Sequence, residues 1–97
     1  MNPFKGKVAT SVLDLSDEFG KKTGVQYHDT IVVEFTGYTI KLNSGGWRTV
    51  TTKLRMNQVS EQYDLGFHVY QKYGSWWVEP KNGGVKMPFI DNMTIKR

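Results

Sequence analysis

Residues 31–63, IVVEFTGYTIKLNSGGWRTVTTKLRMNQVSEQY, decide the fold class because the period of their apolar side chains changes along the stretch. Apolar side chains first occupy alternate positions on both sides of a turn, at Ile31, Val33, Phe35, Tyr38, Ile40 and Leu42. Such an alternation is typical of strands with one buried face. Thr36-Gly37 supplies a tight turn between them, so this first part predicts a β-hairpin.

The second part of the stretch has a helical period. Asn43-Ser44-Gly45-Gly46 breaks the strand with successive turn-forming residues. Met56, Val59 and Tyr63 then recur at spacings of three and four, which places them on one face of a helix. We predict an amphipathic helix with a narrow apolar face over residues 49–63, capped by a threonine and stopped by the glycine at position 66.

Alternating apolar residues separated by turns also mark the region after the helix. They are Phe67 and Val69, the Tyr73-Gly74 turn, Trp76 and Val78, then Val85, Met87 and Phe89, and finally Met93 and Ile95. This pattern predicts a second hairpin and further short strands. The fold class is therefore α+β, with an antiparallel sheet from two β-hairpins flanking one helix, in the order β-β-α-β-β with an extra terminal strand.

The first 24 residues fit two patterns, since their apolar residues follow helical spacing while residues 8–12, VATSV, suit a short strand. We favour a strand or an irregular arm. The basic run at residues 20–24, GKKTG, predicts a turn or loop. A chain of 97 residues suits one domain, so we treat residues 1–97 as a single unit with its core at 25–97 and an arm or peripheral element at 1–24.

Composition narrows the classes of partner. Thirteen Lys and Arg against nine Asp and Glu give a net charge of +4, a modest bias toward nucleic acid, nucleotides or an acidic protein. The chain has no cysteine, which excludes disulfides and thiolate sites and fits a reducing compartment. Because the sequence shows neither a signal-peptide pattern nor a long apolar run, we expect no membrane association and an intracellular location.

The turn that feeds the helix has the chemistry of an anion site. Glycines free backbone N–H groups, the start of a helix dipole is positive, and hydroxyls and cations lie close by. The candidate ligand-binding residues are Ser44, Gly45, Gly46, Trp47, Arg48, Thr49, Thr51, Thr52, Lys53, Arg55 and Trp77. The plain alternative is that Gly45 and Gly46 only permit a tight connection and that a threonine is an ordinary helix cap.

Aromatic residues could add base stacking to this chemistry. Trp76 and Trp77 are neighbours on a predicted strand, so their side chains must point to opposite faces. One should therefore lie in the core and the other should be exposed or at an interface.

Residues for catalysis are sparse. His28 and His68 are far apart in the sequence and neither belongs to a metal-ligand motif. The serines lack the surroundings of a nucleophile and the carboxylates are scattered. We therefore predict no catalytic residue, no metal, no cofactor and no enzyme activity.

The run at residues 42–53, LNSGGWRTVTTK, with Arg55, Met56 and Asn57 after it, resembles a group of short proteins encoded by tailed bacteriophages. His28-Asp29-Thr30 and residues 67–71, FHVYQ, look like further parts of the same pattern, which covers about residues 26–78. The resemblance implies a phage accessory protein that acts in the infected cell on host machinery or on defence systems. It implies no catalytic residue.

Three functions follow from these observations. The first is stoichiometric capture of a phosphate-bearing ligand, either nucleic acid or a nucleotide signal, in host takeover or counter-defence. The second is inhibition of a host or defence enzyme through an aromatic surface or an open sheet edge. The third is a minor component of the virion. Strand edges that remain open could also pair, so homo-oligomerisation is a further expectation.

Overall fold

The first predicted hairpin lies at the centre of the larger of two sheets. The structure is a computed structural model that describes residues 9–81 and 83–97. Its elements are β1 (Thr10–Asp14), β2 (Thr23–Tyr27), β3 (Thr30–Phe35), β4 (Thr39–Leu42), α1 (Val50–Gln62), β5 (Phe67–Lys72), β6 (Ser75–Pro80), β7 (Met87–Pro88) and β8 (Met93–Lys96). The fold is α+β, and both predicted hairpins and the helix are confirmed.

The helix begins where the sequence predicts. Thr49 is its N-cap, in extended conformation, and its Oγ1 accepts a hydrogen bond from the Thr52 N–H at 3.2 Å. The buried face is narrow and partly polar, formed by Thr52, Arg55, Met56, Val59 and Ser60. The apolar side chains of this face join those of both sheets in one hydrophobic core.

The larger sheet is antiparallel, with strand order β1-β2-β3-β4-β8. The β2–β3 register shifts by one residue next to Val25, which leaves Val32 as an extra residue on β3. This bulge interrupts the predicted alternation. Val32 and Val33 are consequently both buried, although they are consecutive, and Ile31 is half-buried.

The smaller sheet has the order β5-β6-β7, and α1 covers its β5 edge with polar side chains. The Asn57 amide exchanges two hydrogen bonds with the backbone of Val69, at 2.7 and 2.8 Å. Ser60 Oγ does the same for the backbone of Phe67, at 2.7 and 3.0 Å. These side chains occupy backbone groups that an edge strand would otherwise offer to another chain.

The larger sheet has two features that the prediction did not include. A turn or loop is predicted for residues 20–24, and residues 20–22 do lie outside the strands, but β2 already begins at Thr23. Gly24, within this strand, gives room to the side chain of Leu15, whose Cδ1 would lie 2.6 Å from a Cβ there. The terminal strand β8 pairs with β4, beside the first hairpin, and no local pattern specifies such a long-range pairing. β1 lies within the predicted arm, whose first eight residues are outside the described residues.

Candidate functional site

The loop between β4 and α1 is closed by its own hydrogen bonds. Gly45 and Gly46 have positive φ angles of 64° and 84°. The Gly45 N–H donates to Asn43 Oδ1 at 2.9 Å and the Gly46 N–H donates to Ser44 Oγ at 3.2 Å. The Trp47 N–H donates to the Ser44 carbonyl at 3.0 Å. The N–H groups of both glycines, which the sequence predicts to bind an anion, are therefore used within the loop, as is that of Trp47.

A distant carboxylate anchors this loop. Asp91 Oδ1 accepts hydrogen bonds from the Ser44 N–H and from Ser44 Oγ, both at 2.7 Å. Ser44 is fully buried. Partial burial by itself raises the pKa of Asp91, but the hydrogen bonds from Ser44 and the charge of Arg48 together outweigh it and hold the pKa below its ordinary value.

Arg48 has partners on several sides. Its Nε donates to Ser44 Oγ at 3.1 Å, and its Nη2 lies 3.7 Å from Asp91 Oδ2. The guanidinium also lies over two rings, with Cζ 4.7 Å from the centroid of Phe89 and 5.3 Å from that of Trp76. Arg48 therefore joins the loop, the smaller sheet and the segment before β8.

On another side of the loop lies an open cleft of about 420 Å³. Its lining residues come from the β2–β3 turn, β3, the loop and the start of α1, and are Tyr27, His28, Asp29, Thr30, Val32, Ser44, Trp47, Thr49 and Thr52. Rings, hydroxyls and one carboxylate thus face a common space. This cleft is the candidate functional site.

Two turns make close contact beside the cleft, through Thr30 of its lining. Thr30, at the end of the β2–β3 turn, packs directly against Gly45, and a Cβ on Gly45 would overlap the Thr30 side chain. Gly46, by contrast, has open space around it. Gly45 is therefore required both for its backbone conformation and for the approach of Thr30.

The aromatic residues of the cleft differ in how they are held. Trp47 is 68% exposed. Tyr27 is half-buried, with the His28 ring at 4.3 Å and the Arg55 guanidinium at 5.5 Å from its own ring centroid. Arg55 is buried and bonds to Thr10 and Gln58. Arg55 thus supports Tyr27 from within the protein.

The structure divides the predicted site residues among several places. Ser44, Trp47, Thr49 and Thr52 line the cleft. Arg48 and Lys53 both contact the ring of Trp76 instead. Trp77 lies in β6 and is half-buried, while Trp76 is in the core, which confirms that the two rings face opposite ways. Thr51 is exposed at the start of the helix.

Some residues that line the cleft, and the carboxylate that anchors the loop, were not among the predicted site residues. Tyr27, His28, Asp29 and Thr30 are separated from the loop by β3 and β4, and their sole signal in the sequence was the phage-like segment HDT at 28–30. Asp91 reaches Ser44 across 47 residues of chain. Neither proximity follows from local pattern.

The described residues contain no group of three or more His, Cys, Asp or Glu side chains that could hold a metal ion. None of the helices found in this part of the chain is long and apolar enough to cross a bilayer.

Comparison with known proteins gives one informative result. Residues 2–96 match the model of the family described as Kyanoviridae Gp96 protein. No curated protein and no solved structure matches the chain. The family match spans nearly the whole chain, well beyond the residues 26–78 of the phage resemblance. The chain therefore belongs to the Kyanoviridae Gp96 family and is a small phage protein.

Proposed function

We propose that this member of the Kyanoviridae Gp96 family is a non-enzymatic binding protein that captures a nucleotide-like ligand in the cleft beside Trp47. Capture would be stoichiometric and would serve host takeover or counter-defence in the cytoplasm of the infected cell. The observation that carries the proposal is the exposed indole of Trp47 at the border of a cleft of about 420 Å³ that also contains Tyr27 and His28.

A planar base suits this cleft for a physical reason. Stacking of a base on an aromatic side chain contributes about 1–3 kcal/mol and does not depend strongly on which base is bound. The Trp47 indole offers such a surface, and Tyr27 is held in place by Arg55. Asp29 would accept a hydrogen bond from an amino or hydroxyl group of the ligand.

The phosphate would lie at the start of α1, where Thr49 and Thr52 line the cleft. Val50 and Thr51 precede the first intrahelical hydrogen bond, from the Lys53 N–H to the Thr49 carbonyl. The described first turn carries no acidic residue, so no side chain there offsets the positive end of the helix dipole. In this proposal the start of α1 takes the place of the N–H groups of Gly45 and Gly46 as the phosphate site, because those two groups are already bonded within the loop.

A titration with nucleoside mono- and diphosphates and nucleotide second messengers, followed by intrinsic fluorescence and native mass spectrometry, tests the proposal. Trp47→Ala should weaken binding about 5- to 150-fold, which corresponds to 1–3 kcal/mol of stacking. Tyr38→Ala is the matched control, because Tyr38 is 83% exposed but does not line the cleft. Equal affinity of wild type and Trp47→Ala would contradict the proposal.

Inhibition of a host or defence enzyme is the second candidate, and one observation favours it. Phe19 and Tyr38 are 89% and 83% exposed and line the same shallow groove, with Lys21 and Lys22 beside them. Exposed rings next to cations are common anchors of protein interfaces. A partner that binds the wild type and Trp47→Ala equally, but not Phe19→Ser with Tyr38→Ser, would support this candidate over nucleotide capture.

A further inference from the structure

The outer face of the smaller sheet carries aromatic side chains that neither the core nor the cleft uses. Along β5, Phe67 and Val69 are buried, whereas His68 is exposed and Tyr70 is half-buried. Along β6, the same alternation buries Trp76 and Val78 and turns Trp77 outward. One side of the sheet therefore closes the core while the other presents rings.

The register of the strands places these rings side by side. Tyr70 is paired with Trp77, and Trp77 is paired with Pro88, so one row crosses all three strands. Directly paired residues on one face lie about 4.5–5.5 Å apart between Cβ atoms. His68 extends the surface along β5, with its ring stacked at 6.1 Å and 14° from that of Tyr70. The result is a nearly continuous set of planar groups.

Positive charge borders this surface. Lys86 Nζ lies 6.0 Å from the centroid of Tyr70, and Lys72 Nζ lies 5.5 Å from that of Tyr73 at the β5–β6 turn. Tyr73 is 94% exposed. Among the outward residues of the described strands β5 and β6, the acidic one is Glu79, which lies opposite His68 in the strand register.

We propose that this outer face, which we name the sheet surface and define as His68, Tyr70, Lys72, Trp77 and Lys86, binds single-stranded nucleic acid. Bases stack on Tyr70 and Trp77, and Lys72 and Lys86 neutralise backbone phosphates. Interleaved rings and cations are the combination that single-strand binders use. The outward residues of the described strands β5 and β6 include no aliphatic side chain, which disfavours a protein core docking there.

The sheet surface is separate from the cleft, and the two are tested separately. A Trp47→Phe background removes the indole of the cleft and keeps Trp77 as the outer indole, since Trp76 is buried. Titration of this variant with oligothymidylate of about ten nucleotides, a length within the usual site size, should quench its fluorescence to saturation. In the same background, Trp77→Leu should weaken binding measured by oligonucleotide anisotropy roughly 5- to 150-fold.

The salt dependence of binding identifies the role of the lysines. Lys72→Gln with Lys86→Gln should lower the slope of log affinity against log salt by about 1.4, at about 0.7 for each phosphate contact on a single strand. Lys41→Gln with Lys96→Gln is the matched control, because both lysines are exposed on the larger sheet. This control should leave the slope unchanged.

Each failure has its own meaning. Loss of all oligonucleotide binding in Trp47→Phe would overturn the sheet surface and leave the cleft as the binding site. Unchanged affinity and salt slope in both the Trp77→Leu and the lysine variants would also overturn it. A protein that binds in place of the oligonucleotide and is released by Trp77→Leu would assign the surface to a protein partner and overturn the proposal. Mononucleotide binding lost in Trp47→Ala tests the cleft alone.

Discussion

Trp47 and Arg48 are neighbours in the chain and both are partly exposed, but their side chains have different partners. Arg48 contacts Ser44, Asp91, Trp76 and Phe89, all within the protein. Trp47 is 68% exposed and borders the cleft. An aromatic residue beside a cation has the same appearance in a sequence whether it binds a ligand or holds a fold. The partners of each side chain separate these roles: Arg48 is held by contacts within the protein, whereas the exposed Trp47 is the residue that we propose for binding.

The largest effect is expected where the loop meets the β2–β3 turn. Gly45→Ala should lower the free energy of unfolding by roughly 2–5 kcal/mol, because it adds the strain of a positive φ angle to overlap with Thr30. Gly46→Ala is the matched control and should lose only about 1–2 kcal/mol, since its φ is also positive but its surroundings are open. Urea unfolding measures both.

A double variant checks the cause. Thr30→Ala removes the atoms that a Cβ on Gly45 would overlap first, so Gly45→Ala should cost less in that background. Equal losses for Gly45→Ala and Gly46→Ala would show that Thr30 does not constrain the loop.

The next largest loss of stability is expected on the side of the loop where Arg48 and Asp91 lie. Asp91→Ala leaves the buried N–H and hydroxyl of Ser44 without their acceptor, which should cost about 1–3 kcal/mol of stability. Asp29→Ala, at an exposed carboxylate of the cleft, should change stability by less than about 0.5 kcal/mol. If the two variants unfold at the same urea concentration, Asp91 contributes no more to stability than Asp29 does, and the Arg48 side of the loop is not the more stabilising one.

The fold was predictable where a pattern is local. Alternation gave the two hairpins, and the spacing of Met56, Val59 and Tyr63 gave the helix within one residue of its bounds. The pairing of β8 with β4 was not predictable, because the paired residues are between 51 (Leu42 and Met93) and 57 (Thr39 and Lys96) positions apart. A glycine that makes room for Leu15 was mistaken for a loop residue for a similar reason.

The candidate site was predictable only in part. Composition drew attention to residues 43–55, and four of the predicted residues do line the cleft. The other wall comes from Tyr27 to Thr30, and the carboxylate that holds Arg48 comes from position 91, so both depend on tertiary contacts. Sequence alone also could not show that the loop uses its own N–H groups, since that depends on how Asn43 and Ser44 fold back.

The pH dependence of stability offers a smaller test of the Arg48 side. The pKa of Asp91 is lower in the folded protein than its ordinary value of 3.8, so the charged form stabilises the fold. That contribution is complete above the unfolded pKa and is lost as pH falls through the folded pKa. Wild-type stability should therefore decline below about pH 4, and the decline should be shallower in Asp91→Asn.

Exposed Asp14 also has a lowered pKa, through hydrogen bonds from Ser16, and accounts for part of the remaining slope. An identical pH profile in Asp91→Asn would mean that Ser44 and Arg48 do not hold this carboxylate in solution.

Trp47→Ala is also expected to change stability very little, and for this reason it sharpens the comparison most. An exposed ring contributes little to the core, so the free energy of unfolding should stay within about 0.5 kcal/mol of the wild type. Arg48→Ala should cost more, because it removes contacts with two rings and a carboxylate. Thermal and urea unfolding measure the stability of the two variants.

A loss above 1 kcal/mol in Trp47→Ala would mean that the indole packs against the protein, and a packed ring is not available to a ligand. A stable Trp47→Ala that no longer binds nucleotides would instead separate binding from folding at adjacent positions in the chain.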